Sequence, residues 1–340
     1  MPLGSESLRV VIAGAASLRG KDLKQFMEES GFPAGEICLL DEEFAAGTLT
    51  ELGGEPAVIQ PVDDASFERT RFVFFTGSGP FAAQHATAAE RAGATVIDLT
   101  GGLAASAGAR RWIPRLDALL PPPPVSGARN GRFRLCLSPS APAIVACSLS
   151  AALSEFPLTH LVIVFFQPVS ERGQAGVDEL ESQSRKLLSL QPIPREVFDA
   201  QVAFNLLDRW GTASRERLSD ARSALAREVH SYLAGRAPVP AMTLIQAPVF
   251  YAHAFAAYAE FSAPQNPESF AARLAAGFGI VGVGDPGPSN VSVVGEAHPV
   301  IGRAERDPNA DCGYWFWGAA DNLRVASANA TRIAERLLDS

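Results

Sequence analysis

Leu8-Arg-Val-Val-Ile-Ala13 runs straight into Gly14-Ala-Ala-Ser-Leu-Arg-Gly20, and a helical pattern with Leu23, Phe26 and Met27 on one face follows from Lys21 to Ser30. An unbroken apolar run of this length reads as a parallel strand buried on both faces. Strand, glycine turn and helix, in that order, form the dinucleotide-binding arrangement, in which a pyrophosphate rests on the helix N-terminus. Gly14, Ala15, Ser17, Leu18 and Gly20 are therefore candidate cofactor contacts. Ser17 stands where the middle glycine of that fingerprint lets backbone approach phosphate, and its Cβ predicts crowding there. The alternative is a doubly wound domain that holds no nucleotide.

Glu36-Ile-Cys-Leu-Leu40 reads as the second strand and ends at Asp41. An acidic residue at that strand end accepts from a ribose 2′-OH and repels a 2′-phosphate, which favours NAD over NADP. A solvated loop of Asp41, Glu42 and Glu43 is the other reading. Ala57-Val-Ile-Gln60 is a short strand, and Arg71-Phe-Val-Phe-Phe75 a strong one ending in Thr76-Gly-Ser-Gly79. Thr76, Gly77, Ser78 and Gly79 thus fall at the ligand edge of the sheet. A helix over Phe81 to Ala92 and a strand over Thr95 to Asp98 continue the alternation, which calls for a parallel sheet and an α/β, Rossmann-type domain. Leu120 to Pro124 and Gly127 to Gly131 read as a linker.

Ser138-Pro-Ser-Ala-Pro-Ala-Ile144 joins an apolar run, Phe133 to Leu137, to a helical pattern, Ala143 to Leu153. In enzymes such a strand-to-helix turn is a place for a nucleophile. Here Ala141 presents a methyl group. An ordinary turn capped by Ser138 or Ser140 is the plainer reading. Beyond it come a strand over Leu158 to Gln167 and a helix over Val177 to Leu188, with Asp178 and Glu179 expected to complement its dipole. An amphipathic helix is read over Ser214 to Leu233. Strands are read over Met242 to Phe250, with Pro248 as a bulge or edge, and over Ala254 to Phe261. Ser269 to Ala276 is a short helix. The aromatic strand Tyr314 to Ala320 is expected in the core, and Asp321 caps a last helix, Asn322 to Leu338.

At 340 residues the chain is long enough for two domains, and 47% hydrophobic with 19% charged residues describes a folded protein. A net charge of -8 argues against nucleic-acid and anionic-membrane partners. Cys38, Cys136, Cys147 and Cys312 match no metal spacing and are expected to be free thiols in a cytoplasmic protein without a metal. No signal-peptide or transmembrane pattern is present.

Several ordered motifs together resemble the aspartate-semialdehyde dehydrogenase family, its Usg-type relatives included. They are Val11-Ile-Ala-Gly-Ala-Ala16, Thr76-Gly-Ser-Gly79, Phe166-Gln-Pro-Val-Ser-Glu-Arg-Gly-Gln-Ala-Gly-Val-Asp-Glu-Leu180, Val202-Ala-Phe-Asn-Leu206, Ala247-Pro-Val-Phe-Tyr-Ala-His253, Ile301-Gly-Arg-Ala-Glu-Arg-Asp-Pro308 and Ala320-Asp-Asn-Leu-Arg324. The resemblance implies a nucleotide-binding domain over residues 1–137, completed by a C-terminal helix over 321–340. It implies an α+β substrate and dimerisation domain over 138–320, and a homodimer. Family enzymes reduce an acyl phosphate to an aldehyde through a cysteine thioester. Gln167 matches the glutamine that orients substrate, His253 matches the acid/base histidine, and Asn322 joins the cofactor contacts. The family's nucleophile position falls on Ala141, its carboxylate-binding arginine on Gln246, its phosphate-binding arginine on Ala104 and its 2′-phosphate-reading arginine on Phe44. A methyl group forms no thioester, and a neutral amide forfeits the bidentate ion pair. Three readings stay open: a nucleotide-binding pseudoenzyme, an oxidoreductase of non-covalent chemistry that uses His253, and an interaction protein with an empty site.

Overall fold

The computed structural model describes residues 8–121, 134–281 and 285–339. The linker from Pro122 and the expected strand start at Phe133 lie outside them. The chain divides into two compact units. One takes the described residues of Met1–Pro114, Pro122–Pro139 and Ala326–Ser340, and the other Arg115–Pro121 and Ser140–Val325.

The strands of the first unit are β1 (Arg9–Ala13), β2 (Glu36–Asp41), β3 (Leu49–Leu52), β4 (Glu55–Val58), β5 (Gln60–Pro61), β6 (Phe72–Phe75), β7 (Thr95–Asp98), β8 (Arg110–Arg111) and β9 (Leu135–Leu137). Its helices are α1 (Leu18–Ser30) and α2 (Gly79–Arg91). Seven strands form one sheet in the order β5-β2-β1-β6-β7-β9-β8, each pair parallel. β3 and β4 make a separate hairpin that the sequence reading did not anticipate. β6 and β7 are buried along their whole length and β1 from Val10 to Ala13, as strands covered on both faces must be. One face packs Leu23 and Met27 of α1 with Ile12, Phe72 and Phe74. Ala330, Ile333, Ala334 and Leu337, from the C-terminal helix, join that same core.

The second unit holds α3 (Ala141–Leu153), β10 (Leu158–Gln167), α4 (Gly173–Leu188), α5 (Leu218–Leu233), β11 (Ala241–Gln246), β12 (His253–Phe261), α6 (Pro267–Leu274), β13 (Gly279–Ile280), β14 (Val300–Ile301), β15 (Glu305–Arg306) and β16 (Gly313–Ala320). The last helix, α7 (Arg324–Leu338), begins at its end. The sheet runs β11-β10-β12-β16-β14-β13, mixed in direction, with β15 beside β16. Residues alternate between faces. Leu161, Ile163 and Phe165 of β10 and Phe255, Ala257 and Ala259 of β12 are buried. The opposite face sets Val162 beside Tyr258 and Tyr258 beside Trp315, and sets Val164 beside Ala256 and Ala256 beside Trp317. Trp315 is 47% and Trp317 43% exposed, so the aromatic strand is not wholly core: Tyr314 and Phe316 point inward and the two tryptophans outward. Among the described residues no helix is long and apolar enough to cross a membrane.

Helix starts differ from the sequence reading for one recurring reason. Capping side chains and Pro at the first helical positions extend helices toward the N-terminus. α1 starts at Leu18, α2 at Gly79 and α3 at Ala141. α5 instead starts later than expected, at Leu218, after turns. β11 ends at Gln246, so Pro248 is not a strand residue.

Candidate functional site

In the first unit the glycine turn after β1 and the turn after β6 interlock. Gly14 has φ +96°, and a Cβ there would lie 2.2 Å from the Gly77 nitrogen. A Cβ at Gly20 would lie 2.4 Å from the Gly14 carbonyl oxygen. These glycines allow backbone to pack on backbone, with φ > 0 an added demand at Gly14. Ser17 turns out to be the N-cap of α1: its Oγ accepts from the Gly20 N–H at 3.0 Å and donates to the Thr76 carbonyl at 3.0 Å. The hydroxyl that replaces the middle glycine is thus engaged within the turn, and the N-terminus of α1 remains at the C-terminal edge of the sheet. Ala15 is buried, its N–H donating to the Leu40 carbonyl, and Leu18 opens the helix. Thr76 Oγ1 donates to the Gly14 carbonyl at 3.0 Å. Ser78 caps α2 through the Phe81 N–H, and Gly79 lies against Gly102.

Asp41 is buried at the end of β2 and is not part of a solvated loop. Its Oδ2 accepts from Ala16 N–H at 2.7 Å and its Oδ1 from Glu42 N–H at 2.8 Å. It lines a cavity of about 610 Å³ with Glu42, Glu43, Ser78, Phe81 and His85. Asp41, Glu42 and Glu43 give this cavity an acidic side. Phe44, at the position where the resemblance places a phosphate-reading arginine, is 85% exposed. Ala104 is an exposed turn residue, and Arg110, four residues before the helical turn at Pro114, stacks on Trp112 at 4.2 Å.

In the second unit His253 opens β12 and is buried. Its Nε2 lies 3.2 Å from Glu171 Oε1, while Nδ1 is buried without a hydrogen-bond partner. The same Glu171 oxygen accepts from Asn322 Nδ2 at 3.2 Å. Asn322 Oδ1 in turn accepts from the N–H of Ala252, which holds the unusual φ of +64°. A left-handed non-glycine residue costs about 1 kcal/mol, and this bond offsets it at the residue that aims His253. The Asn322 side chain is thereby occupied by Ser170, Glu171 and Ala252. Glu171 is a residue the sequence reading quoted within its motif without singling it out.

Gln167 and Gln246 end neighbouring strands and are buried together. Gln246 Nε2 donates to the Gln167 carbonyl at 2.9 Å and to the Ala247 carbonyl at 3.1 Å. Its Oε1 accepts from Trp210 Nε1 at 3.3 Å and from Gln167 Nε2 at 3.4 Å. The amide is saturated by protein. Asp178 and Glu179 lie inside α4, which starts at Gly173, and Glu179 is no dipole partner. Its carboxylate accepts from the N–H groups of Glu196 and Val197 at 2.7 and 2.6 Å, and Gln183 beside it accepts from those of Val202 and Ala203. Neither serine of the central turn caps α3 through its side chain. Ser140 Oγ donates to Glu228 at 2.5 Å, and Ser138 Oγ accepts from Asn329 Nδ2 at 2.9 Å. Ala141 is the first, buried residue of α3. Burial pushes the Cys136 thiol up to about 12 and the Cys147 thiol well above the ordinary range.

A parallel doubly wound unit with a nucleotide-type glycine turn, and a mixed-sheet unit with a buried histidine–carboxylate pair, define a two-part α/β protein of the dinucleotide-binding class. Residues 9–125 match the family model described as "Semialdehyde dehydrogenase, NAD binding domain", and residues 149–325 the one described as "Semialdehyde dehydrogenase, dimerisation domain". The chain belongs to the semialdehyde dehydrogenase family. It is 28% identical over 341 residues to a USG-1 protein homolog of Azotobacter vinelandii, covering 98% of each chain. It is 27% identical to aspartate-semialdehyde dehydrogenase 2 of Vibrio cholerae, again over 98% of each. A solved structure described as a probable aspartate-semialdehyde dehydrogenase from Pseudomonas aeruginosa superposes with a TM-score of 0.85 at 28% identity, covering 98% of this chain and 99% of that one.

Proposed function

We propose that this protein is a nicotinamide-nucleotide-binding, homodimeric member of its family that does not form a cysteine thioester. The observation that carries the reading is the first turn of α3. Position 141 is a buried methyl group, and the nearest cysteines in sequence, Cys136 and Cys147, are buried with raised thiol pKa values. A thiolate is the nucleophile such chemistry needs. The N-terminus of α1, beside the turn in which Gly14 packs on Gly77, and the cavity beside Asp41 suit a dinucleotide, with the acidic wall favouring NAD over NADP. Calorimetric titration with each nucleotide tests this: NAD binds more tightly than NADP, and neither supports phosphate-dependent turnover of aspartate semialdehyde. Binding of neither nucleotide overturns the reading, and so does phosphate-dependent turnover.

A second reading is favoured by the retained His253–Glu171 pair. A bound nicotinamide supplies or accepts hydride. His253, its Nε2–H held by Glu171 and its Nδ1 carrying a second proton taken up with the substrate, would hand that Nδ1 proton to the carbonyl oxygen of a bound aldehyde or ketone as that carbon gains hydride, giving an alcohol with no covalent step on the protein. Screening carbonyl compounds for cofactor oxidation, with His253→Ala as the control, tests it.

A further inference from the structure

At the edge of the second unit's sheet, a cavity of about 700 Å³ opens between α6, β13 and the segment that joins β14 to β15. That is the size of a small-molecule site. Part of its lining is apolar: Phe270 and Leu274 of α6 are buried there, and Ile280 of β13 is 36% exposed. Phe270 packs on the rings of Tyr314 and Phe316, with centroids 5.2 and 5.6 Å away, which seats the helix on the sheet. β13 ends the sheet and pairs with β14 alone, so among the described residues no further strand covers Ile280.

Two opposite charges line the same cavity: Glu268 from the first turn of α6, and Arg303 from the segment between β14 and β15. Both residues are exposed. Among the described residues neither side chain has an ion-pair or hydrogen-bond partner, and they do not pair with each other. Charged neighbours on the same elements are engaged. Arg273 of α6 pairs with Glu155 at 2.8 Å, and the Arg306 guanidinium of β15 lies 5.9 Å from the centroid of the Tyr314 ring. A guanidinium matches a carboxylate, and a carboxylate matches an ammonium. A small molecule that carries an ammonium, a carboxylate and an apolar body answers both charges and the apolar lining at once.

We propose that this cavity binds a large apolar L-amino acid. Arg303 takes the carboxylate, Glu268 takes the ammonium, and the side chain lies against Phe270, Leu274 and Ile280. None of these residues belongs to the glycine turns or to the His253–Glu171 pair, so the site stands apart from the nucleotide reading. Removing Ile280 and the ligand's side chain from water drives binding, and the two charges select which apolar molecule enters. Ala271, exposed on α6, lines the same cavity and gives a means of filling it.

The test is calorimetric titration of the full chain with L-phenylalanine and L-leucine, with L-serine, 2-phenylethylamine and 3-phenylpropionate as comparisons. L-Phenylalanine or L-leucine binds with a Kd of about 1 mM or tighter, and L-serine, which lacks the apolar body, about tenfold more weakly. Arg303→Gln weakens L-phenylalanine about tenfold and leaves 2-phenylethylamine, which has no carboxylate, unchanged. Glu268→Gln weakens L-phenylalanine to a similar degree and leaves 3-phenylpropionate, which has no ammonium, no weaker. Ala271→Trp fills the cavity from the exposed side of α6 and abolishes binding. The two charge variants keep the wild-type unfolding midpoint without ligand, because the exposed side chains they change hold no partner among the described residues. Binding of neither amino acid at about 10 mM overturns the proposal and leaves the nucleotide reading intact. L-Serine binding as tight as that of L-phenylalanine also overturns it, as does L-phenylalanine binding that both charge variants leave unchanged.

Discussion

His253 and Glu171 stand 82 residues apart in the chain and 3.2 Å apart in space. An ionised carboxylate only accepts, so it holds the neutral ring as the Nε2–H tautomer and leaves Nδ1 a bare acceptor. Nitrogen-15 NMR of the His253 ring is expected to show that tautomer, and Glu171→Gln to mix it with the other. A pure Nδ1–H ring in wild type would contradict the geometry. The histidine was legible in the sequence because it closes a motif. Its partner was not, because no spacing within one strand or helix announces a contact between the start of one strand and the turn that follows another. The cysteines give a second expectation. Burial holds the Cys136 thiol neutral to about pH 12, so Cys136 and Cys147 should resist a thiol-reactive disulfide at pH 8 and at pH 10, while all four cysteines react in denaturant. With its folded pKa raised, Cys136 contributes stability that is complete below the unfolded thiol's range. That contribution is lost as pH climbs from about 9 toward 12.

Among elements, α4 shows what residue type alone conceals. Two carboxylates near a predicted helix start suggested dipole compensation, yet the helix begins earlier and Glu179 faces inward to fasten the backbone of residues 196–198. Glu179→Ala leaves buried backbone donors without acceptors and is expected to cost about 3 kcal/mol, read as a lower midpoint in urea. Glu179→Gln, which keeps an acceptor, should cost less. The parallel strands were plain in the sequence because strands buried on both faces read as continuous apolar runs. β16 was half legible. An aromatic run identifies a strand, but period-two alternation sends Trp315 and Trp317 to the opposite face from Tyr314 and Phe316. Gly14→Ala should abolish folding or cost several kcal/mol, since it places a Cβ inside the Gly77 turn at a φ that L-residues avoid.

For the whole molecule, the open sheet face of Val162, Tyr258, Trp315 and Trp317 is what a homodimer would cover. Val162→Asp puts an unpaired charge in the middle of that face and is expected to convert dimer to monomer, measured by sedimentation at micromolar concentration. Unchanged sedimentation would place the interface elsewhere. The candidate nucleotide site could be outlined from sequence because its residues cluster in two turns, whereas the His253 unit draws on segments spread from Gln167 to Asn322. The saturated amide of Gln246 also limits what can replace it. With Trp210 Nε1 pointing at it, a guanidinium placed at that position would meet a donor where it needs an acceptor. Gln246→Arg alone should therefore destabilise the fold, and Gln246→Arg with Trp210→Phe should recover part of the loss. The neighbours are closed around an amide, so an arginine enters this position only in step with a second substitution.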